Sequence, residues 1–180
     1  MLVFRKSTIF DIDAIVQIAN DGKELLKNNG IDQWQKGTYP DRKLFIQDVE
    51  DGLGYVVTDN DEVVAVCAVT FTEEASYRHL ISGNWKTADN AVYATIHRAA
   101  VARKHQGKNL TGFLLDSVAR LAAEKGAVSV RADTHPDNAA MNGAMQKAGF
   151  EKCGKFFIQE GDEAGGLRYG YERVITSENP

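Results

Sequence analysis

Between Gln106 and Gly112 the chain reads QGKNLTG, with Lys104, His105 and Lys108 supplying positive charge and no carboxylate before Asp116. A loop of this kind, running straight into an amphipathic helix, is an anion site, because successive backbone N–H groups and the helix dipole converge on one place. Each amide bonded to a charged oxygen contributes about 1.5–3 kcal/mol, so three or four of them hold a pyrophosphate. Gly107 permits close approach of a ligand to the backbone. Asn109 stands where a second glycine is expected, and asparagine tolerates positive φ better than most residues. Thr111 adds a hydroxyl. The nucleotide loop GxxxxGK[ST] and the dinucleotide fingerprint GxGxxG are both absent. A well-capped turn without a ligand is the competing reading of this segment taken alone.

The elements around the loop follow from periodicity and punctuation. LVFRKS (2–7) reads as a first strand, and Thr8 with Asp11 as a capping box ahead of a helix through Ile12, Ile15, Val16 and Ala19 to about Lys27. An aromatic-bearing loop, Ile31 to Pro40, leads to a second helix over about Arg42 to Asp51, stopped by Gly52. GYVVTD and EVVAVCAVTF are strands joined at Asp59–Asp61, and TEEASYRHLISGNWKTADN is a polar connection without pattern. Ala91–Val101 is the strand entering the loop. The helix after it places Leu110, Phe113, Leu114, Ser117, Val118 and Leu121 on one face and ends at Gly126. AVSVRAD is a strand, NAAMNGAMQKAGF a helix with Met141, Ala144, Met145 and Ala148 inward, and FEKCGKFFI and LRYGYERVI are closing strands. The order predicts an α/β (α+β) protein, a mixed sheet with helices on both faces, in one domain over 1–180 with a frayed tail at 175–180.

Composition narrows the function. With 180 residues, 43% hydrophobic and 26% charged, the chain suits one globular domain. A net charge of −4 argues against a nucleic-acid partner. Cys67 and Cys153 fit neither a disulfide framework nor a zinc site, so no metal is expected. No apolar run approaches the roughly 20 residues that span a bilayer, and the N-terminus lacks a secretory pattern, so the expected address is the cytoplasm, away from membranes.

The stretch from Ala91 to Phe150 resembles the core of the GNAT superfamily of N-acetyltransferases. The superfamily's loop motif, Q/R-x-x-G-x-G/A, lines up with Gln106, Gly107, Lys108, Asn109, Leu110 and Thr111; the first position matches and both small positions are altered. Asn138 then opens a helix ending in Gly149–Phe150, as in the superfamily's N-x-x-A…GF segment. The order of elements extends the resemblance over about residues 3 to 174, and implies a mostly antiparallel sheet.

The resemblance implies acetyl-CoA as cosubstrate. Backbone groups of Ala99 and Val101 would pair with the pantetheine arm, the amides of Gln106 to Thr111 would take the pyrophosphate, and Asn138 would contact the arm. The implied reaction is direct attack of a primary amine, on a small molecule or a protein, on the thioester. An amine of pKa near 10 is almost wholly protonated at pH 7, an access cost of roughly 4 kcal/mol, so a general base is useful. His97 is the candidate, since arylalkylamine acetyltransferases of the superfamily carry a histidine there; structural packing is the alternative. Glu73 and Glu74 are further bases. The usual acid, a tyrosine four residues before the glycine of GF, is Met145 here, leaving Tyr93, Tyr169 and Cys153 as substitutes. Arg98 faces away from His97 in a regular strand and is a candidate substrate contact, as is Trp34, whose loop covers the acceptor or packs on the domain edge. A non-catalytic acyl-CoA sensor of the same fold is the second reading. Polyamines, aminoglycosides, amino acids and protein N-termini remain open as acceptors, and edge strands near the C-terminus are available for a homodimer.

Overall fold

The computed structural model describes residues 1–176. Its elements are β1 (Leu2–Lys6), α1 (Ile12–Asn28), α2 (Arg42–Glu50), β2 (Gly54–Asp59), β3 (Glu62–Thr70), β4 (Ser82–Gly83), β5 (Tyr93–Val101), α3 (Leu110–Glu124), β6 (Ser129–Thr134), α4 (Ala139–Lys147), β7 (Glu151–Phe157) and β8 (Leu167–Val174). The fold is mixed α/β with mostly antiparallel strand pairs. The pairs β1–β2, β2–β3, β6–β8, β7–β8 and β4–β7 are antiparallel, and β5–β6 is parallel. The chain divides into two compact units, Met1–Val69 with His97–Leu114, and Thr70–Ile96 with the residues from Leu115 onward.

In the first unit, Ile12, Ile15, Ile18 and Ala19 recur at helical spacing on α1 and bury against Phe45 of α2, Val56 of β2, Val66 of β3 and Ala102. The β2–β3 hairpin closes through Asn60 (φ 48) and Asp61 (φ 70), the positive-φ pair of a type I′ turn that matches the strand twist. Entry into α1 is fixed by Asp11. Its carboxylate accepts two bonds of 2.8 Å from the Arg5 guanidinium, plus bonds from the Thr8 amide (2.7 Å) and hydroxyl (2.9 Å).

The Arg5 hydrogen bonds outweigh burial and hold Asp11 at about 2. An unfolded aspartate titrates near 3.9, so this site contributes about 2 kcal/mol above that value, lost as the pH falls through the folded pKa. The stability gap between wild type and Asp11→Asn, followed by urea unfolding, is expected to shrink by about half between pH 6 and pH 3. A gap that is flat with pH would count against the pair.

In the second unit, β6 lies between β5 and β8, with Tyr93↔Ser129 to Ile96↔Ala132 in register on one side and Ser129↔Val174 to Thr134↔Tyr169 on the other. β4 approaches β7 so closely that a Cβ on Gly83 would fall 1.9 Å from the Cys153 carbonyl oxygen, and one on Gly154 would fall 2.1 Å from that of Ser82. Only glycine fits both places. Leu115, Val118, Ala119 and Ala122 of α3 are fully buried, whereas Phe113 and Leu121 are half-buried. The buried stripe is therefore rotated toward the small residues, which let the helix seat closely. On α4, Met145 alone of the four expected inward residues is fully buried. Ile175, expected in the frayed tail, donates its amide to the Val128 carbonyl at 2.9 Å; residues 177–180 of that tail lie outside the described residues.

Candidate functional site

The loop after β5 has the geometry of an anion cradle. A single 3₁₀ turn, Arg103–His105, precedes it, Gly107 has φ 81 and Asn109 has φ 55. Asn109 thus adopts the left-handed conformation that its type tolerates. Its carbonyl accepts the Phe113 amide at 3.1 Å, the first bond of α3. By helical geometry the amides up to Gly112 then have no acceptor within the helix. No loop carbonyl among the described residues accepts from the amides of Gly107 to Gly112 either. A Cβ at Gly112 would lie 2.6 Å from the Asn109 side-chain oxygen, so glycine makes room for that residue. Leu110 points its side chain into the core, 4% exposed, and has only its backbone to offer a ligand. Lys104 pairs with Glu62 and Arg103 with Glu24, leaving Lys108 beside His105, Nζ to Nδ1 3.4 Å, as the remaining cation of the loop. These residues fit a pyrophosphate.

Strand β5 is kinked where the sequence predicts regular alternation. Arg98 has φ 54, a conformation that costs a non-glycine residue about 1–2 kcal/mol. What holds it is α2: Arg98 donates Nε and Nη2 to Asp48 at 3.1 and 2.6 Å, in a pair with both side chains almost wholly buried. Burial raises the Asp48 carboxyl despite the guanidinium. Arg98, a candidate substrate contact, is therefore engaged inside its own unit. His97, just before the kink, is half-buried; burial, then the Arg98 charge, lowers its pKa to about 4 and keeps the imidazole neutral at pH 7. The pairing of β5 with β6 ends at Ile96, so Ala99 and Val101 lie beyond it. Trp34 is 8% exposed and packs with Leu26 and Ile31, its ring 3.3 Å from where a Cβ on Gly22 would stand. The packing alternative describes its ring better than a cover.

In the second unit, Asn138 caps α4, its side-chain oxygen accepting the Met141 amide at 3.2 Å. Met145 is a core residue. Of the substitute acids, Tyr93 accepts the Glu74 amide at 3.0 Å, Tyr169 lies under the Lys152 ammonium, and the Cys153 thiol is raised to about 11 by burial and then by Glu172. Glu73 is paired with exposed Arg78, which holds its carboxyl below the usual range. Cys67 is a buried thiol raised to about 12 by burial.

Sequence reasoning missed the part of this unit with the most chemistry. The polar connection before β5 forms a 3₁₀ turn at Ala75–Arg78 and strand β4. With β5 and β6 it lines an open cavity of about 440 Å³, whose wall includes Glu73, Tyr77, Arg78, Trp85, Tyr93 and Arg131. Arg131 is 3% exposed and lies over the rings of Trp85 (4.4 Å) and Tyr93 (4.0 Å). It donates Nε to Glu172 at 3.0 Å and Nη2 to the Thr87 hydroxyl at 3.1 Å. Burial pushes the Glu172 carboxyl up, but hydrogen bonds from Ser129, Thr87 and Arg131 outweigh it and hold Glu172 below its ordinary value. Nearby, Tyr77 donates its hydroxyl to Asp133 at 2.8 Å, and burial raises that carboxyl to about 6. The available signal was charge set inside otherwise apolar strands, Arg131 in SVRAD and Glu172 in YGYERV.

Among the described residues no group of three His, Cys, Asp or Glu stands where it could hold a metal ion, and no helix is long and apolar enough to cross a membrane. Comparison with solved structures finds an acetyltransferase of the GNAT family from Streptococcus agalactiae, 27% identical, covering 98% of this chain and 96% of that one, with a TM-score of 0.87. A GNAT-family acetyltransferase from Listeria monocytogenes is 19% identical over 97% of this chain and 95% of its own, with a TM-score of 0.70. The ribosomal-protein-S18-alanine N-acetyltransferase from Escherichia coli shares the fold at 15% identity, covering 100% of this chain and 99% of that one, with a TM-score of 0.64. A search of curated protein sequences finds no significant match. The sequence model described as Acetyltransferase (GNAT) family matches residues 13–150, most of the chain, and with the fold and the loop described above it establishes that this chain belongs to the GNAT acetyltransferase family.

Proposed function

We propose that the protein is an acetyl-CoA-dependent N-acetyltransferase acting on a primary amine by direct attack. Beyond family membership, the observation that carries this reading is the run of amides from Gly107 to Gly112 without backbone acceptors in the loop among the described residues, with positive φ at Gly107 and Asn109. Acetyl-CoA supplies an acyl group activated as a thioester. The amides of Gln106 to Thr111 hold its pyrophosphate, with Lys108 adding charge. Ala99 and Val101 offer backbone groups to the pantetheine arm past the end of the β5–β6 pairing, and Asn138 contacts the same arm. The neutral amine attacks the thioester carbonyl, and the C–N bond forms as the C–S bond breaks. Coenzyme A departs as a thiolate that takes a proton from water, and His97 receives the proton that the acceptor nitrogen gives up. Its imidazole is neutral at pH 7 but a weak base, so it works late, when acylation has made that nitrogen acidic, and passes the proton to water. The protein acts in the cytoplasm.

Thermal unfolding with acetyl-CoA, and with ATP and NAD as controls, tests the reading. At 100 times its dissociation constant a ligand adds about 2.7 kcal/mol, roughly 5–10 °C for a chain of this size. A rise with acetyl-CoA alone is the expected outcome, and no rise at millimolar acetyl-CoA sinks the proposal. Release of thiol with any amine then separates an enzyme from a sensing protein, the alternative that Met145 keeps in view.

A further inference from the structure

In the second unit, two hydrogen-bond donors on residues lining the cavity have no acceptor among the described residues. Nε and Nη2 of Arg131 are engaged by Glu172 and Thr87, and Nη1 has no partner among the described residues. The guanidinium carbon lies over both the Trp85 and Tyr93 rings, which restricts where the group can point. The Tyr93 oxygen accepts the Glu74 amide, which leaves the hydroxyl proton without an acceptor among the described residues. Both side chains are at least nine-tenths buried, at 3% and 5% exposure, and both line the same cavity of about 440 Å³. That volume is within the range of about 300–1,000 Å³ usual for small-molecule sites.

We infer that this cavity binds the acceptor, and that the acceptor is a small amine carrying a carboxylate, an amino acid or a close relative. Two donors on residues that line one cavity suit the two oxygens of a carboxylate, and a charged acceptor answers a desolvated guanidinium best. The acidic groups that line the cavity, Glu73 and Asp89, are exposed, Glu73 already paired with Arg78, and Asp89 suits the ammonium end of a zwitterion. A purely cationic amine leaves both donors without acceptors and brings positive charge toward Arg131. The inference rests on the acetyltransferase reading, which supplies the reaction that an acceptor amine undergoes.

The test uses the intact protein with acetyl-CoA, the standard amino acids, their carboxamides and the amines left by decarboxylation, followed by thiol release. For at least one amino acid, kcat/KM is expected to exceed that of its carboxamide and its decarboxylated amine by about tenfold or more, the size of one charge-assisted hydrogen bond. Tyr93→Phe, checked for an unchanged melting profile, is expected to lower kcat/KM for that amino acid several-fold more than for its decarboxylated amine, and an equal loss for both counts against a carboxylate contact. Calorimetry of the same acids and carboxamides with coenzyme A present reads binding independently of turnover. Equal use of the three classes, preference for the uncharged or cationic partners, or no binding of any acid overturns the inference while acetyl-CoA stabilisation leaves the acetyltransferase reading intact. Loss of acetyl-CoA stabilisation removes the acetyltransferase reading and, with it, the acceptor assignment.

Discussion

Replacing Glu172 with alanine is expected to lower stability by about 3–5 kcal/mol, because it leaves the Arg131 guanidinium buried without its counter-charge. Glu172 is 1% exposed and accepts from Ser129 Oγ (2.6 Å), Thr87 Oγ1 (2.6 Å) and the Thr87 amide (3.3 Å) as well as Arg131. One truncation therefore strands donors from two segments of the unit, the connection before β5 and strand β6, and a desolvated cation costs most among them. For a chain of this size the loss corresponds to roughly 6–20 °C in Tm. Removing both charges, Arg131→Met with Glu172→Met, is expected to recover a large part of the loss, since a well-packed apolar pair avoids desolvation altogether. Scanning calorimetry of Glu172→Ala and of the double variant beside wild type reads both outcomes. A single variant as stable as wild type contradicts a buried, uncompensated cation.

Gly107→Val is expected to weaken acetyl-CoA binding by at least about 100-fold, the loss of two amide bonds to charged oxygens. Nothing lies within 4 Å of a Cβ at this position, so the obstacle is conformational: φ 81 is strained for any residue with a side chain and most of all for a β-branched one. The loop relaxes to negative φ and its amides turn away from one another. Because the position is exposed, the melting temperature without ligand is expected to change little. Asn109→Gly is the matched control, as glycine takes φ 55 without cost and keeps the cradle. Calorimetric titration with acetyl-CoA decides the matter. If Gly107→Val binds like wild type, the pyrophosphate is held elsewhere.

Much of the fold was legible because its signals are local. The hairpin turn at Asn60–Asp61, the reciprocal cap of Thr8 and Asp11, and the apolar spacing on α1 each depend on residues close in sequence. The loop was legible for the same reason: Gly107 and Asn109 are types that permit positive φ, and both adopt it. Periodicity told less about the stripe on α3, where two expected core residues are half-buried, since the angle at which a helix seats is set by its neighbours' volumes.

Arg98 shows where local reasoning fails. Strand alternation predicts its direction, but a buried carboxylate fifty positions earlier, Asp48, holds it at positive φ and takes its charge. The cavity is the same case on a larger scale. Its connecting segment has no period to read, because its residues are ordered one at a time by partners on other strands: Trp85 donates to the Tyr77 carbonyl at 2.8 Å, and Gly83 fits against Cys153.

By itself the sequence determined most of the helices and strands, the residue types that allow positive φ at Gly107 and Asn109, and which family's order of elements the chain follows. All of these follow from φ preferences, caps and apolar spacing within a few residues. Tertiary structure alone decided that Arg98 is engaged by Asp48, that Trp34 is packed rather than open, and that Arg131 lies over the rings of Trp85 and Tyr93. Those outcomes depend on which register brings distant strands together, as Arg131↔Glu172 does on β6 and β8, and no local pattern encodes a register between segments forty residues apart.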